Sequence, residues 1–317
     1  MQLQTIVPIK PLENKIDYHS KIVSVGSCFA VNISQKLKEF QFQQSVNPLG
    51  ILFHPVAIAR LIDFAVENKT FTEEDVFFHN EIWSCFDAHS DMNELDKQDI
   101  IDALNKKSKQ FRQNIAEATH GIITFGTAWV YRKIDTQQLV ANCHKVPQKE
   151  FTKELLSVED CKNAIASIEK GIRKLNPNIQ IIYTISPVRH IKDGMVENQR
   201  SKSHLIAALH EHLDSFSKKN YYFPSYELVM DEMRDYRFYG KDLIHPNEYA
   251  IDYIWEKFVE KAIDTEVYPT MKMVYEVQKG LAHRPFNPYT EAHQKFLDKL
   301  AQKLDVLLEQ YPFMNFR

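Results

Sequence analysis

The chain has 317 residues, of which 44% are hydrophobic, enough for one large α/β domain with additions or for two smaller domains. Its 39 Lys and Arg face 42 Asp and Glu, a formal net charge of −3, so the bulk charge argues against a nucleic-acid partner. The N-terminal segment lacks a basic region followed by a long apolar stretch, and the four cysteines show no CxxC spacing. We therefore expect no membrane segment and a cytoplasmic location in which the thiols stay reduced.

The first half of the chain alternates short β-branched runs with helical patterns, which is typical of parallel α/β sheets. Strands are predicted over residues 22–25, over residues 42–46 and over the run GIITF that ends at Gly126. Helices are predicted where apolar residues recur at helical spacing, over residues 31–40, 54–68 and 96–118. A turn at residues 47–50 separates the second strand from the second helix.

The stretch YRKIDTQQLVANCHKVP, residues 131–147, alternates as a β-hairpin does and interrupts this rhythm. We therefore predict an inserted hairpin near the strand ends. Beyond it, Ser157 and Asp160 predict the N-terminal cap of a helix that runs to about Leu175. The remaining predicted elements are a strand over residues 179–186, a helix over 199–219, a short strand over 221–226 and a last helix over 247–263.

The pattern changes after residue 263, and residues 290–311 form an amphipathic helical pattern. We divide the chain into an α/β domain over residues 1–264 and a helical extension over residues 265–317. The extension is expected to pack either on the core or against a partner. One such arrangement is a homo-oligomer formed through the C-terminal helix.

Polar residues follow three of the predicted strands, and ligands of open parallel sheets collect at the carboxyl ends of strands. The first segment, Gly26-Ser27-Cys28, places two potential nucleophiles side by side before a helix. The other two segments comprise residues 126–129 and 186–190. We expect these three segments to lie at one edge of the sheet.

A fourth segment, residues 240–246, contains Asp242 and His245 just before a helix. Pro246 disfavours a helical conformation for His245, so we expect the pair in a loop. Such a pair can serve a nucleophile, because the imidazole takes the proton while the carboxylate fixes the tautomer. Asp-x-x-His alone also describes a helix entry with a structural histidine. Together with the Gly-Ser-Cys turn, it predicts a nucleophilic site.

A series of ordered segments over roughly residues 20–260 resembles a known family. The segments are IVSVGSCFAVNISQKL, NPLGILFHP, WSCFDAHSDM, TFGTAWVYR, VANCHKVP, TISPVRH, RSKSHL and FPSYELVMDEMRDYRFYGKDLIHP. They resemble the GSCFA domain family, which is placed within the SGNH (GDSL-like) hydrolase superfamily. The resemblance implies a three-layer α/β/α, flavodoxin-like (SGNH hydrolase-like) fold. It also implies an esterase or acyltransferase acting on small acyl groups, often on carbohydrates, and such chemistry requires no cofactor.

The first and last blocks of the superfamily pattern match this sequence in order. The block Gly-Asp-Ser matches Gly26-Ser27-Cys28 without a gap, which implies Cys28 as the nucleophile and puts Ser27 in the place of the aspartate. The block Asp-x-x-His matches Asp242 and His245. A thiol at a helix N-terminus near an imidazole is expected to have a pKa below its usual value of about 8.5. The alternative is that Cys28 is a small buried apolar residue and that Ser27 caps the helix.

The middle blocks match less closely. Gly50, after the second predicted strand, is expected to be the glycine whose N–H helps to bind the oxyanion, together with the backbone N–H of Cys28. The third block, Gly-x-Asn-Asp, meets Gly126-Thr127-Ala128-Trp129, so its oxyanion-binding asparagine is absent. Removing one such donor typically lowers the rate about 10²–10³-fold. We therefore expect one side chain of the inserted hairpin to supply the donor, and the candidates are Asn142 and His144.

Other polar and aromatic residues have structural alternatives. Arg189 and His190 follow a strand, where they would meet an anionic substrate group or form a surface ion pair. A solvated helix face explains Lys202, Ser203 and His204. Three potential metal ligands lack ligand-type spacing, and these are Asp87, His89 and His144. Three aromatic side chains could stack on a sugar ring or pack at strand ends, and these are Trp83, Trp129 and Tyr131.

The sequence thus predicts one doubly wound α/β/α domain with an inserted hairpin and a C-terminal helical extension. Its predicted activity is ester hydrolysis or transacylation on a small-molecule or carbohydrate ester, with no metal and no cofactor. The missing asparagine favours one alternative, a non-catalytic binding or scaffold protein on a degenerate hydrolase fold.

Overall fold

The structure is a computed structural model that describes residues 4–215 and 220–316. The strands in these ranges are β1 (Lys21–Gly26), β2 (Gln43–Val46), β3 (Phe77–His79), β4 (Ile82–Ser84), β5 (His120–Phe125), β6 (Trp129–Lys133), β7 (Leu139–Val140), β8 (Phe151–Leu155), β9 (Gln180–Ile185) and β10 (Asn220–Tyr222). The helices are α1 (Cys28–Glu39), α2 (Pro55–Glu67), α3 (Lys97–Glu117), α4 (Val158–Leu175), α5 (Met195–Ser215), α6 (Ser225–Glu227), α7 (Glu248–Ala262), α8 (Tyr268–Ala282) and α9 (Glu291–Gln310).

Five of the strands form one parallel sheet in the order β10-β9-β5-β1-β2. In chain order this is the arrangement 2-1-3-4-5 of flavodoxin-like doubly wound sheets. Strands β5 and β9 are buried along their whole length, because helices cover both faces of the sheet. The predicted three-layer α/β/α fold is confirmed.

Alternate residues of a central strand pack into two separate hydrophobic cores, one on each face of the sheet. Val23 and Val25 of β1 pack with α2, α3, α4 and α5, whereas Ile22 packs on the opposite face with α1 and α7. The period of two along an extended strand produces this division. The C-terminal helices α8 and α9 join the second core through Val274 and Leu307. The extension therefore packs on the domain, and its predicted role in joining two copies stays a prediction.

The sheet reverses its winding between β1 and β5, and a crevice forms there at the carboxyl ends of the strands. Gly26 ends β1 with φ +137°, and a Cβ on it would lie 2.1 Å from the Thr124 carbonyl oxygen. Only glycine allows the two strand ends to come this close. The next residue, Ser27, donates its backbone N–H to the same oxygen at 3.2 Å.

The predicted inserted hairpin is present as β6 and β7, and β8 adds a third antiparallel strand. Two side chains of the α2 region anchor it: Arg60 donates to the Leu139 carbonyl at 2.9 Å, and the His54 Nε2 lies 3.1 Å from the Val140 carbonyl. The inserted sheet is thereby held over the carboxyl ends of the central strands. A second hairpin, β3–β4, was not predicted.

Three predicted boundaries differ from the structure by three or four residues. Helix α1 begins at Cys28, three residues before the predicted start. Helix α5 begins at Met195, because Gly194 at φ +105° ends the preceding turn, and the predicted end over residues 216–219 lies outside the described residues. Strand β10 ends at Tyr222, since the Ser225 hydroxyl bonds to the Ile185 carbonyl at 2.7 Å and turns the chain into α6.

Candidate active site

A cavity of about 710 Å³ lies at the carboxyl ends of the central strands, under the inserted sheet. Its walls include most of the predicted site residues, which are Ser27, Cys28, Asn142, Arg189, His190 and His245. A larger groove of about 1170 Å³ lies between α1, α7 and α8 and contains none of the predicted site residues. The smaller cavity is therefore the candidate active site.

Cys28 is the first residue of α1 and faces the cavity half-buried. Burial raises the pKa of its thiol, and the backbone N–H of Cys28 offsets only part of this effect. The predicted lowering of the thiol pKa is therefore wrong. Desolvation outweighs the hydrogen bond from the backbone N–H at this position. The free protein holds a neutral thiol that needs a base to become a nucleophile.

Ser27 lies deeper than its neighbour, with 2% of its surface exposed. Its hydroxyl has no hydrogen-bond partner among the described residues, and it does not cap α1. The alternative in which Ser27 acts as the helix cap is therefore not found. Since Cys28 is the more accessible of the two, the geometry favours the thiol for contact with a ligand.

His245 and Asp242 form a hydrogen-bonded pair at the cavity mouth. The His245 Nδ1 lies 2.6 Å from the Asp242 Oδ2, and Asp242 Oδ1 accepts the backbone N–H groups of Ile244 at 2.9 Å and His245 at 3.0 Å. These bonds, first of all that from His245, lower the pKa of Asp242 to about 2. An ionised carboxylate only accepts, so Nδ1 carries the proton and Nε2 is left free as a base.

The loop that holds this pair is closed on itself. The backbone N–H of Gly240 donates to the His245 carbonyl at 2.8 Å, and Tyr239 forms a β-bridge with Pro246. The predicted loop conformation of the Asp-x-x-His segment is confirmed. It presents the His245 imidazole, about half exposed, to the same cavity as Cys28.

Gly126 directly follows β5 and lies beside Ser27. Its N–H donates to the Phe53 carbonyl at 2.7 Å. A Cβ on Gly126 would lie 3.2 Å from that oxygen, 3.2 Å from the Ser27 Cβ and 3.4 Å from the His190 Nε2. The absence of a side chain therefore lets Ser27 and His190 approach each other across the strand end.

Gly50 does not serve as the predicted oxyanion donor. Its N–H donates to the Asn47 carbonyl at 2.9 Å, in a turn that glycine permits with φ +79°. A Cβ there would lie 2.3 Å from the His89 Cβ, so glycine is needed for close packing. The prediction fails because the turn uses the N–H group that an oxyanion would need.

Of the two hairpin candidates, only Asn142 lines the cavity. Its amide nitrogen donates to the Ser90 hydroxyl at 3.1 Å, and its oxygen accepts the backbone N–H of His144. The His144 imidazole is buried, and its Nε2 faces the carbonyls of Cys85 at 2.8 Å and Ala88 at 3.1 Å. His144 thus holds the loop together, and the structure contradicts its predicted role as a donor to the ligand.

His190 is a second imidazole in the cavity wall. Its ring meets the Phe53 ring edge-on at 5.5 Å, and its backbone N–H donates to the Asn198 side chain at 2.9 Å. Burial, followed by the charge of Lys202, lowers its pKa to about 4. Among the described residues no group hydrogen-bonds to the ring, so a neutral imidazole is available to a ligand.

Lys202 does not lie on a solvated helix face, as one interpretation of the sequence predicted, because it is fully buried. Its ammonium group donates to the carbonyls of Gly126 and Ser186, each at 2.6 Å. Burial lowers its pKa to about 7. Helical spacing could have revealed it, because Lys202 shares the buried face of α5 with Asn198 and Leu205.

The metal-ligand candidates are engaged elsewhere. Asp87 pairs with Arg60 at 2.5 Å, and His89 lies 3.1 Å from Asp91. Within residues 4–215 and 220–316 no group of three or more His, Cys, Asp or Glu side chains could hold a metal ion. No helix of the same residues is long and apolar enough to span a bilayer. Of the three aromatic candidates, Trp129 and Tyr131 line the cavity.

Fold and site together define a doubly wound α/β/α protein with a cysteine, a histidine–aspartate pair and a second histidine around one cavity at the switch point of its sheet. Comparison with protein-family models matches the GSCFA family over residues 21–258. The C-terminal domain of GSCFA domain proteins matches residues 274–317. The first match covers well over half of the chain, so the protein belongs to the GSCFA family.

Proposed function

We propose that this protein transfers a small acyl group from an ester to water or to a second acceptor, with Cys28 as nucleophile. One observation supports this most strongly: a hydrogen-bonded His245–Asp242 pair shares a cavity with a half-buried thiol at a helix N-terminus. The Gly-Ser-Cys and Asp-x-x-His segments resemble SGNH hydrolase blocks, and this resemblance implies the same roles for Cys28, His245 and Asp242. An acetyl ester of a carbohydrate, with Trp129 and Tyr131 beside the sugar ring, is one substrate of this kind.

In the first step the His245 Nε2 accepts the proton of the Cys28 thiol as the sulfur attacks the carbonyl carbon. Asp242 holds the Nδ1 proton and stabilises the imidazolium that forms. The tetrahedral intermediate then expels the alkoxide, which takes the proton from His245, and a thioester remains on Cys28. Water or an acceptor hydroxyl gives a proton to His245 as it attacks this thioester, and the released thiolate recovers that proton.

The oxyanion would be bound by the predicted backbone N–H of Cys28 and by two further donors that replace Gly50 and the hairpin side chains. In the first turn of α1 the backbone N–H of Phe29 has no backbone acceptor among the described residues, and that of Cys28 faces only its own thiol, so both can donate to an oxyanion. We assign the third donor to the imidazole of His190, which lies beside Gly126, where the asparagine block of the superfamily would stand. Its low pKa keeps it neutral, with one N–H to donate.

An experiment with activated esters tests this proposal. Wild-type protein is incubated with p-nitrophenyl acetate beside Cys28→Ala, His245→Ala and Ser27→Ala. We expect Cys28→Ala to lose at least about 10²-fold in rate, His245→Ala to lose a comparable factor, and Ser27→Ala to stay within severalfold of wild type. Acid quenching followed by peptide mass mapping should place the acetyl group on Cys28.

Cys143 supplies a matched control, because it is a second half-buried thiol in the same cavity and lies outside the proposed mechanism. Burial raises its pKa to about 11, so we expect Cys143→Ala to keep the wild-type rate. If wild type is no faster than Cys28→Ala, acyl transfer on this substrate class is refuted. A binding protein on a degenerate hydrolase fold, which the neutral thiol and the missing asparagine favour, then becomes the better assignment.

A further inference from the structure

The cavity around Cys28 concentrates positive charge in a chain whose formal net charge is −3. Three cationic side chains line it without an ion-pair partner among the described residues, and these are Lys145, Arg189 and Lys192. One carboxylate of the described part of the chain lines it, that of Asp193, and this pairs with Lys153 at 2.5 Å. The surface ion pair considered for Arg189 is therefore not found.

Of the three cations, Arg189 is the best positioned to bind an anionic group of a ligand. Its Nη2 donates to the Tyr239 hydroxyl at 3.1 Å, and its guanidinium lies 5.2 Å from the centre of the Tyr239 ring. A neutral partner fixes the guanidinium without neutralising it. Because Tyr239 borders the loop of His245, and His190 follows Arg189 in the chain, the fixed positive charge lies close to the proposed reaction centre.

Apolar and aromatic side chains form a large part of the remaining cavity wall. They include Phe53, Trp129, Tyr131, Val188, Ile191 and Ile244. A cavity of about 710 Å³ is far larger than an acetyl group needs and lies in the range of sites for drug-sized ligands. A ligand that fills it must offer both apolar surface and a group that satisfies the cations.

We propose that the cavity takes an anionic substrate, an acyl donor or acceptor that carries a carboxylate or phosphate beside an apolar segment, with Arg189 binding the anion. This inference rests on the proposed function for its reaction, and it determines the substrate class of the same site. A guanidinium is planar and can form two parallel hydrogen bonds, so it binds a carboxylate or a phosphate equally well in geometry. Lys145 and Lys192 add to the local positive potential.

Alkylation of Cys28 tests the charge of the cavity without any turnover. Iodoacetate and iodoacetamide have nearly the same size, and with either reagent the sulfur displaces iodide and forms a thioether. The rate of each is measured at Cys28 by peptide mass mapping, and the iodoacetate-to-iodoacetamide ratio is divided by the ratio for N-acetylcysteine. We expect a normalised ratio of about 5 to 10 that falls at high salt.

Arg189→Gln should lower this ratio about fivefold, whereas Arg234→Gln, at an exposed arginine outside the cavity, should leave it unchanged. Any change in the thiol pKa of the variant affects both reagents equally and cancels in the ratio. A normalised ratio of one or less, or a ratio that Arg189→Gln does not lower, overturns the inference.

Matched esters then locate the anion. The first pair compares mono-p-nitrophenyl glutarate, which carries a carboxylate on the acyl group, with the neutral p-nitrophenyl butyrate. The second pair compares 4-acetoxybenzoate, which carries a carboxylate on the leaving group, with the neutral 4-acetoxybenzamide. We expect at least a tenfold preference in kcat/KM for one anionic member, lost in Arg189→Gln. Turnover without such a preference overturns the inference while the proposed function stands. No turnover, with the alkylation ratio still dependent on Arg189, refutes the proposed function and supports the anion site.

Discussion

The ammonium nitrogen of Lys202 lies 2.6 Å from the carbonyl oxygen of Gly126, at the end of β5. The same nitrogen lies 2.6 Å from the carbonyl oxygen of Ser186, directly after β9. One buried side chain of α5 thus joins two neighbouring strand ends under the candidate site. Ser201 reinforces this connection, because its hydroxyl accepts the backbone N–H of Ala128 at 2.7 Å.

Lys202 makes stability depend on pH above neutrality. Its folded-state pKa of about 7 lies below the usual value of 10.5, so the unfolded chain binds more protons between these two values. The free energy of unfolding should therefore rise with pH from about 7 towards 10, by up to about 4 kcal/mol from this group. In urea titrations, Lys202→Met should flatten this rise. The exposed Lys170→Met should keep it, and equal slopes in both variants would exclude the effect.

His54 makes stability depend on pH on the acid side. Its Nδ1 accepts the Ala57 N–H and its Nε2 faces the Val140 carbonyl, so the folded state needs the neutral ring, and burial lowers its pKa to about 4. Its contribution should be complete above pH 6.5 and lost as the pH falls to about 4, by up to about 3 kcal/mol. Urea titrations of His54→Gln should show a smaller acid loss than wild type. A loss equal to that of the exposed His283→Gln would contradict this.

Asp242 should matter for rate and not for folding, because its side chain is about half exposed. Asp242→Asn removes the carboxylate that fixes the His245 tautomer, so we expect kcat on a cleaved ester to fall about 10²–10⁴-fold with an unchanged melting temperature. Asp235→Asn, at an exposed carboxylate paired with Arg237, is the control. Since the pKa of Asp242 is about 2, its ionisation should not limit activity above pH 4. Full activity of Asp242→Asn would remove the pair from the mechanism.

Gly126→Ala should damage the site more than the fold. The new Cβ would lie 3.2 Å from the Ser27 Cβ and 3.2 Å from the Phe53 carbonyl oxygen, so these neighbours must shift by a few tenths of an ångström, and it would touch the His190 Nε2 at 3.4 Å. We expect kcat/KM to fall about 10–10²-fold, as small misplacements of reacting groups do. Gly121→Ala is the control on the same strand, because its Cβ would meet only the flexible end of Ile179 at 3.4 Å. Equal activity of the two variants would argue against a crowded site at Gly126.

His190 can be tested as a hydrogen-bond donor. His190→Phe keeps a ring against Phe53 but has no N–H, so kcat should fall about 10²–10³-fold with little change in KM. His190→Asn supplies an amide donor and should recover part of the rate. In Lys202→Met, NMR titration should find the pKa of His190 raised, because a neighbouring positive charge is gone. A fully active His190→Phe would assign the oxyanion to other donors.

Local sequence patterns carried the prediction of most elements and of the Asp242–His245 loop. Pro246 was enough to predict that His245 lies outside a helix, and Ser157 with Asp160 forms the predicted capping box of α4. These features depend on residues near each other in the chain. The donor role of Gly50 failed for the opposite reason, because whether an N–H is free depends on which carbonyl lies opposite it.

The sequence by itself determined the α/β alternation, the Gly-Ser-Cys turn before a helix and the Asp-x-x-His loop, because propensity, turn chemistry and periodicity act over a few residues. Only the tertiary structure decided that Cys28 holds a neutral thiol, that His190 is a neutral imidazole in the cavity wall and that Lys202 is buried. Each of these depends on desolvation by segments distant in the chain. Helical spacing places Lys202 on the buried face of α5, but the extent of desolvation at each of these groups is set by the packed layers and not by a local pattern.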